Sequence, residues 1–191
     1  RCKEILSYYN ILNSKFFITD AIHKTEKDLT FPKFIKPLHE GSSKGIFNSS
    51  VVRNCAELRN EILRIKDCYD QPSLVEDFLE GKEFTVAMLG NGNDVKVLPI
   101  VEINLDSVPE GFNKIYSYEV KWFFDTRESK LDIFRCPADI DEKLYSRIES
   151  VCKAAYKVLR LRDWARIDVR LDGDGNPNIV EINPLPGILP D

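Results

Sequence analysis

The stretch from Trp164 to Asn183 constrains this chain more than any other. Two runs rich in β-branched and apolar residues, Trp164–Leu171 and Pro177–Asn183, flank Asp172-Gly173-Asp174-Gly175-Asn176, the pattern of a β-hairpin. With a four-residue loop at 173–176, Asp172 faces Pro177, Asp168 faces Glu181 and Arg166 faces Asn183. Ile167, Val169 and Leu171 then share the opposite face with Val180 and Ile182, which supplies an apolar side for a core. A three-residue loop would mix the two faces.

That register sets two carboxylates opposite each other with an amide oxygen one pair along. Like charges directly opposed destabilise a sheet unless a positive charge lies between them. Mg²⁺ fits such a set: it takes oxygen ligands, keeps some waters and shares its site with substrate phosphates. An ordinary solvated hairpin face fits the spacing equally well. A calcium loop at Asp172, Asp174 and Asn176 fits poorly, because Pro177 replaces the required glycine and Asn183 stands where the bidentate Glu belongs.

At 191 residues the chain can hold one large domain or two small lobes. The net charge of −4 argues against nucleic acid as the main partner. No apolar run reaches membrane-spanning length and no signal peptide opens the chain. Cys2, Cys55, Cys68, Cys136 and Cys152 are odd in number and contain no Cys-x-x-Cys pair, so they read as reduced thiols of a cytosolic protein. His23 and His39 are too far apart for a local metal motif. The opening at Arg1 and the stop soon after Pro186-Gly187 read as a piece cut from a longer enzyme.

In order, 3–9 reads as a short helix, 16–18 as a strand, and 20–30 as polar, with a short helix after Asp20. Residues 31–37 alternate as a strand with Lys36 near its end. Glu40-Gly41-Ser42-Ser43-Lys44-Gly45 follows, a loop whose backbone N–H groups can form an anion-binding nest; a mobile turn is the plainer reading. Asn54 caps a helix over 55–66, with Leu58, Ile62 and Ile65 at helical spacing. Strands follow at 73–78, 83–89 and 95–103, joined by tight turns into an antiparallel sheet. Glu76 and Glu83 read locally as exposed strand residues. The aromatic stretch 116–124 reads as a half-buried strand, or as a flap carrying Lys121 to a phosphate. A long amphipathic helix starts at Asp139 or Asp141 and runs to about Leu159, packing against the sheet of the hairpin.

Taken together and in order, Phe34-Ile35-Lys36-Pro37, Glu40-Gly41-Ser42-Ser43, Val75-Glu76, Gly81, Glu83-Phe84-Thr85-Val86, 116–121, Arg166-Ile167-Asp168, Glu181-Ile182-Asn183 and Pro186-Gly187 resemble the D-alanine–D-alanine ligases of the ATP-grasp superfamily. The resemblance covers the chain from about residue 1 to its end. It implies an α+β fold with two lobes whose antiparallel sheets grip a nucleotide: a lead-in over 1–20, a smaller lobe over 21–95 and a larger catalytic lobe over 96–191, with the amino-terminal substrate domain absent.

By position, the resemblance makes Lys36 the strand lysine on the ATP phosphates and Ser42 and Ser43 the loop over them. Glu76, Asp77, Phe78 and Leu79 become the hinge that recognises adenine, Glu83 the ribose carboxylate and Lys121 the mobile-loop lysine. Asp168, Glu181 and Asn183 become ligands of two Mg²⁺ ions, with Mn²⁺ as an alternative. Arg166, Gly187 and Ser42 form the catalytic set, with Arg166 and the Gly187 N–H on the tetrahedral oxyanion. The implied reaction joins two D-alanines through an acyl phosphate, for peptidoglycan precursors in the cytoplasm. Its partners are amino acids, not nucleic acid or membrane, with a homo-oligomer open through the absent domain. Trp122 replaces a usual tyrosine and Pro184-Leu185 a Thr-containing form, which keeps other amino acid or carboxylate substrates open, as does truncation to an inactive nucleotide-binding module.

Overall fold

The structure is a computed structural model that describes residues 1–21, 29–125 and 131–187. The chain divides into two compact units. Unit 1 comprises Arg1–Ser14, Leu79–Asn104 and Asp132–Asp191; unit 2 comprises Lys15–Phe78 and Leu105–Leu131. The boundary expected at 95/96 therefore falls inside unit 1. The reason is pairing: Glu83–Leu89 hydrogen-bonds along Trp164–Leu171 through seven residue pairs, which ties the two segments into one sheet.

Unit 2 is built on β1 (Phe16–Thr19), β2 (Lys33–Pro37), β3 (Val51–Val52) and β4 (Ser73–Asp77), in the order β1-β4-β2-β3. Helix α2 (Cys55–Tyr69) starts at Asn54, whose side chain accepts the Glu57 N–H at 3.0 Å as an N-cap. It buries Leu58, Ile62 and Ile65 against Ile35, Val52 and Val75. Register and pleat put Phe34 and Lys36 of β2 on the opposite face, with Leu74 and Glu76 of β4. The Lys36–Glu76 pair thus lies on the face away from α2, and the Lys33–Asp77 pair on the same face as Ile35 and Val75, at the strand ends.

Residues 118–124 of unit 2 are helical rather than extended, with a π-type turn at Val120–Phe124. The Asp125 N–H donates to the Val120 carbonyl at 2.8 Å. A strand would have sent Tyr118, Trp122 and Phe123 to both faces. As a wide turn, Tyr118 meets both Trp122, at 6.2 Å, and Phe123, at 6.0 Å, while Val120 is fully buried. The helix expected after Asp20 lies largely outside the described residues.

Unit 1 adds α1 (Cys2–Tyr8), β5 (Glu83–Leu89), β6 (Lys96–Val97), β7 (Val101–Ile103), β8 (Phe134–Arg135), α3 (Glu142–Val158), β9 (Trp164–Leu171) and β10 (Pro177–Asn183). The sheet runs β10-β9-β5-β7-β8, with β6 also on β5. The strand expected over 95–103 is broken, because Pro99 has no N–H to give a ladder. Phe84, Val86 and Met88 of β5 face Val169, Ile167 and Ala165 of β9. This layer packs on Ile148, Cys152, Ala155 and Tyr156 of α3 and on Leu6 of α1. Burying side chains of this size is worth about 1.5–3 kcal/mol each, which fixes the face that β9 turns outward.

The β9–β10 register is as expected at its open end and differs near the loop. Asp168 faces Glu181, Ile167 faces Ile182 and Arg166 faces Asn183. Pro177 faces Leu171, however, and Ile179 rather than Val180 faces Val169; a bulge at Val180 absorbs the extra residue. Asp172 causes the shift by leaving the ladder. Its carboxylate accepts the N–H groups of Asp174 at 3.0 Å and Asn176 at 2.8 Å, forming an Asx-type turn. Val180 thus lies outside the core face and Ile179 fills the place.

Candidate functional site

In unit 1, strand alternation and the β9–β10 register bring Arg166, Asp168, Glu181 and Asn183 to one face. The Arg166 guanidinium forks onto Asp168, Nε to Oδ1 at 3.0 Å and Nη2 to Oδ2 at 2.9 Å. Thr85 Oγ1 donates to Asp168 Oδ1 at 2.6 Å, and Asn183 Nδ2 to Oδ2 at 3.3 Å. Asp168 is buried, whereas its cross-strand neighbour Glu181 is exposed. Burial opposes the charge of Arg166, yet the hydrogen bond and charge of Asp168 and the charge of Glu181 outweigh it, so its pKa is raised.

The positive charge expected between the carboxylates is present here as an arginine. The donor chemistry still fits a hard cation: two carboxylates and an amide oxygen, the set Mg²⁺ completes with waters and phosphate. Both Asp168 oxygens already accept two donors each, so a cation would have to displace one of them. Arg166 is the longest of these donors and the natural one to move. Among the described residues no cluster of three or more His, Cys, Asp and Glu side chains competes as a metal site.

Glu83, one strand over, faces Arg170 and accepts from its Nη1 at 3.0 Å. Arg170 is buried, and desolvation lowers its pKa despite the Glu83 charge. Leu79 is buried in unit 1; Gly187 is exposed, with open space around its Cα. Arg170 and Thr85 escaped the sequence reading. Arg170 had a signal, since it continues the alternation of Arg166 and Asp168. Thr85 meets Asp168 only through the β5–β9 pairing, which nothing local encodes.

In unit 2, Lys36 Nζ lies 3.0 Å from Glu76 Oε2 and 5.8 Å from the Phe34 ring centroid. Glu76 is buried and Asp77 pairs with Lys33. The Phe78 ring lies 6.5 Å from Phe34. The loop after β2 holds Ser42 and Ser43 at φ 55° and 59° and Gly45 at 77°. Left-handed serines in succession are strained, and such strain clusters at ligand clamps. Gly45 is obligatory, because a Cβ there would lie 2.4 Å from Pro37 Cγ. Lys121 sits in the π-type turn, its Nζ 5.6 Å from the Trp122 ring centroid.

Two α+β units with antiparallel sheets, an acidic strand pair on one and a lysine strand followed by a serine–glycine loop on the other, define the class of ATP-grasp ligases. The solved VanG D-Ala:D-Ser ligase from Enterococcus faecalis matches with TM-score 0.72 and 27% identity, over 98% of this chain and 52% of that one. The D-alanine–D-alanine ligase from Bacillus anthracis in complex with ATP matches with TM-score 0.71 and 26% identity, over 97% and 54%. The D-alanine–D-alanine ligase of Bordetella avium is 35% identical over 160 residues, 84% of this chain and 46% of its own length. The chain belongs to the D-ala D-ala ligase C-terminus family, whose pattern spans residues 5–190. It spans about half the length of the curated relatives it matches.

Proposed function

We propose that this chain is the nucleotide-binding and catalytic part of an ATP-dependent carboxylate–amine ligase that joins two D-alanines, for peptidoglycan precursors in the cytoplasm. The observation that carries this reading is Asp168 facing Glu181 in the β9–β10 register, with Asn183 beside them. Lys36, Lys121 and the backbone around Ser42 and Ser43 hold the ATP phosphates. The segment Glu76, Asp77, Phe78, Leu79 receives adenine. Glu83, oriented by Arg170, receives the ribose hydroxyls.

Asp168, Glu181 and Asn183 would hold two Mg²⁺ ions, which would neutralise phosphate charge when bound. The first D-alanine carboxylate attacks the γ-phosphorus, giving an acyl phosphate and ADP. The amine of the second attacks the acyl carbon and phosphate leaves. Arg166, displaced from Asp168, and the Gly187 N–H stabilise the negative charge on the tetrahedral oxygen.

A second reading, with another amino acid replacing one D-alanine, is supported by Trp122, an exposed side chain one position from Lys121 where related ligases usually carry tyrosine. ADP release by the full-length protein with ATP, Mg²⁺ and a panel of amino acids separates the readings. D-Alanine alone should suffice, with the dipeptide as product. Turnover that requires a different amino acid would select the second reading, and no turnover with any of them would overturn both.

A further inference from the structure

Arg64 lies on α2 and bonds the serine–glycine loop at Gly45, the first of the two segments of unit 2 assigned to the phosphates above. Its Nη2 donates to the Gly45 carbonyl at 2.8 Å and to Glu61 Oε1 at 2.6 Å, and its Nε to Glu61 Oε2 at 3.0 Å. Its guanidinium carbon stands 4.8 Å from the Phe47 ring centroid. The same cation thus fixes the loop at Gly45 and packs on an aromatic two residues later. Glu61 is itself buried and anchored by Ser50 Oγ at 3.1 Å, while the Phe47 N–H donates to that same oxygen at 3.0 Å.

Phe47 in turn touches the segment that carries Lys121. Its ring lies 5.6 Å from that of Tyr118. Three hydrogen bonds reinforce this contact: the Tyr118 N–H to the Ile46 carbonyl at 2.8 Å, Ser43 Oγ to the Tyr116 carbonyl at 3.1 Å, and the Asn48 N–H to Glu119 Oε1 at 3.0 Å. Residues 43–48 and 116–119 are therefore stitched along their length. The loop near Ser42 and the turn at Lys121 cannot shift independently without breaking these bonds.

We propose that Arg64 is a positioning residue that makes the serine–glycine loop and the Lys121 turn respond to nucleotide as one element. The inference rests on the ATP-binding role proposed for these segments. Only a planar fork can bond Glu61 twice, reach the Gly45 carbonyl and stack on Phe47 at once; lysine keeps the charge and loses the geometry. Removing that fork should loosen both segments together, even though Arg64 contacts only the first.

The test is hydrogen exchange and steady-state kinetics on the full-length protein, comparing wild type with Arg64→Lys. In the absence of nucleotide, the variant should exchange faster at both 41–48 and 116–125, with β9 and β10 unchanged. Its KM for ATP should rise about tenfold, the equivalent of one charge-assisted hydrogen bond, with a smaller change in kcat. Faster exchange confined to 41–48, or an unchanged KM with a lowered unfolding midpoint, would overturn the proposal by reducing Arg64 to a structural ion pair. Should Arg64→Lys fail to fold, Phe47→Leu breaks the same link while sparing the Arg64–Glu61 pair, and the same joint loosening is expected. If wild type shows no Mg²⁺–ATP protection anywhere, the ligase reading fails, while the nucleotide-free exchange still decides the coupling.

Discussion

The candidate residues of the two units are held in different ways. Arg166, Asp168, Glu181 and Asn183 ride on paired strands, where pleat and register decide which side chains meet. Ser42, Ser43 and Lys121 ride on a loop and a wide helical turn, held by Arg64, Phe47 and Glu119 from elsewhere in the chain. A ladder fixes all its members once one register is chosen. A stitched pair of loops is fixed one contact at a time. Charge should thus be costly to disturb on the strands, and shape costly on the loops.

The sharpest test of the strand half is the buried Arg170–Glu83 pair. Glu83→Ala leaves a buried guanidinium without its carboxylate and should cost about 3–5 kcal/mol, read from denaturant unfolding. A loss below about 1 kcal/mol would show that this face is wet and its charges dispensable. For the loop half, Gly45→Ala forces a Cβ onto Pro37 at positive φ and should cost about 2–3 kcal/mol. Gly41→Ala, with open space around it, should be close to neutral. Equal costs at the two glycines would mean that contact shape does not hold the loop.

A smaller effect is expected at Thr85, whose hydroxyl supports Asp168. Thr85→Val should destabilise by about 1.5 kcal/mol and weaken Mg²⁺-dependent activity 10–100-fold. Unchanged activity would remove Thr85 from the site.

The smallest effect concerns the hairpin loop. Burial raises the Asp172 pKa, but hydrogen bonds from Asn176, Asn178 and Asp174 outweigh it and hold it below the ordinary 3.8. A depressed folded-state pKa means stability that is present above the unfolded value and lost as pH falls through the folded one. Asp172→Asn should therefore show a slightly smaller drop in unfolding midpoint below about pH 4 than wild type. Identical acid profiles would show that the loop bonds contribute nothing to folding.

The same contrast governs what could be read from sequence. Strand alternation and a turn cluster were enough to set Asp168 against Glu181. Helical spacing, the cap Asn54 and a start at Asp139 or Asp141 were enough to place both long helices, the second of which is capped by Asp141. The register near the loop was not legible, because it depends on whether Asp172 prefers the ladder or its own backbone. Residues 116–124 misled for a related reason. Aromatic and β-branched residues suit a strand, and contacts with Phe47, far off in sequence, and with Phe112, just before the stretch, favour the wide turn. Arg64 was hidden as one of several charges on a helix surface, since its partners at Gly45 and Phe47 lie on another segment.

The central claim is that the carboxylates of β9 and β10 receive a divalent cation together with a nucleotide. ATP affinity should be titrated calorimetrically with and without Mg²⁺, on wild type and on Glu181→Gln, which alters an exposed carboxylate and should leave the fold intact. Wild type should bind ATP far more tightly when Mg²⁺ is present, and Glu181→Gln should lose most of that gain. An equal Mg²⁺ effect in both proteins would contradict the account.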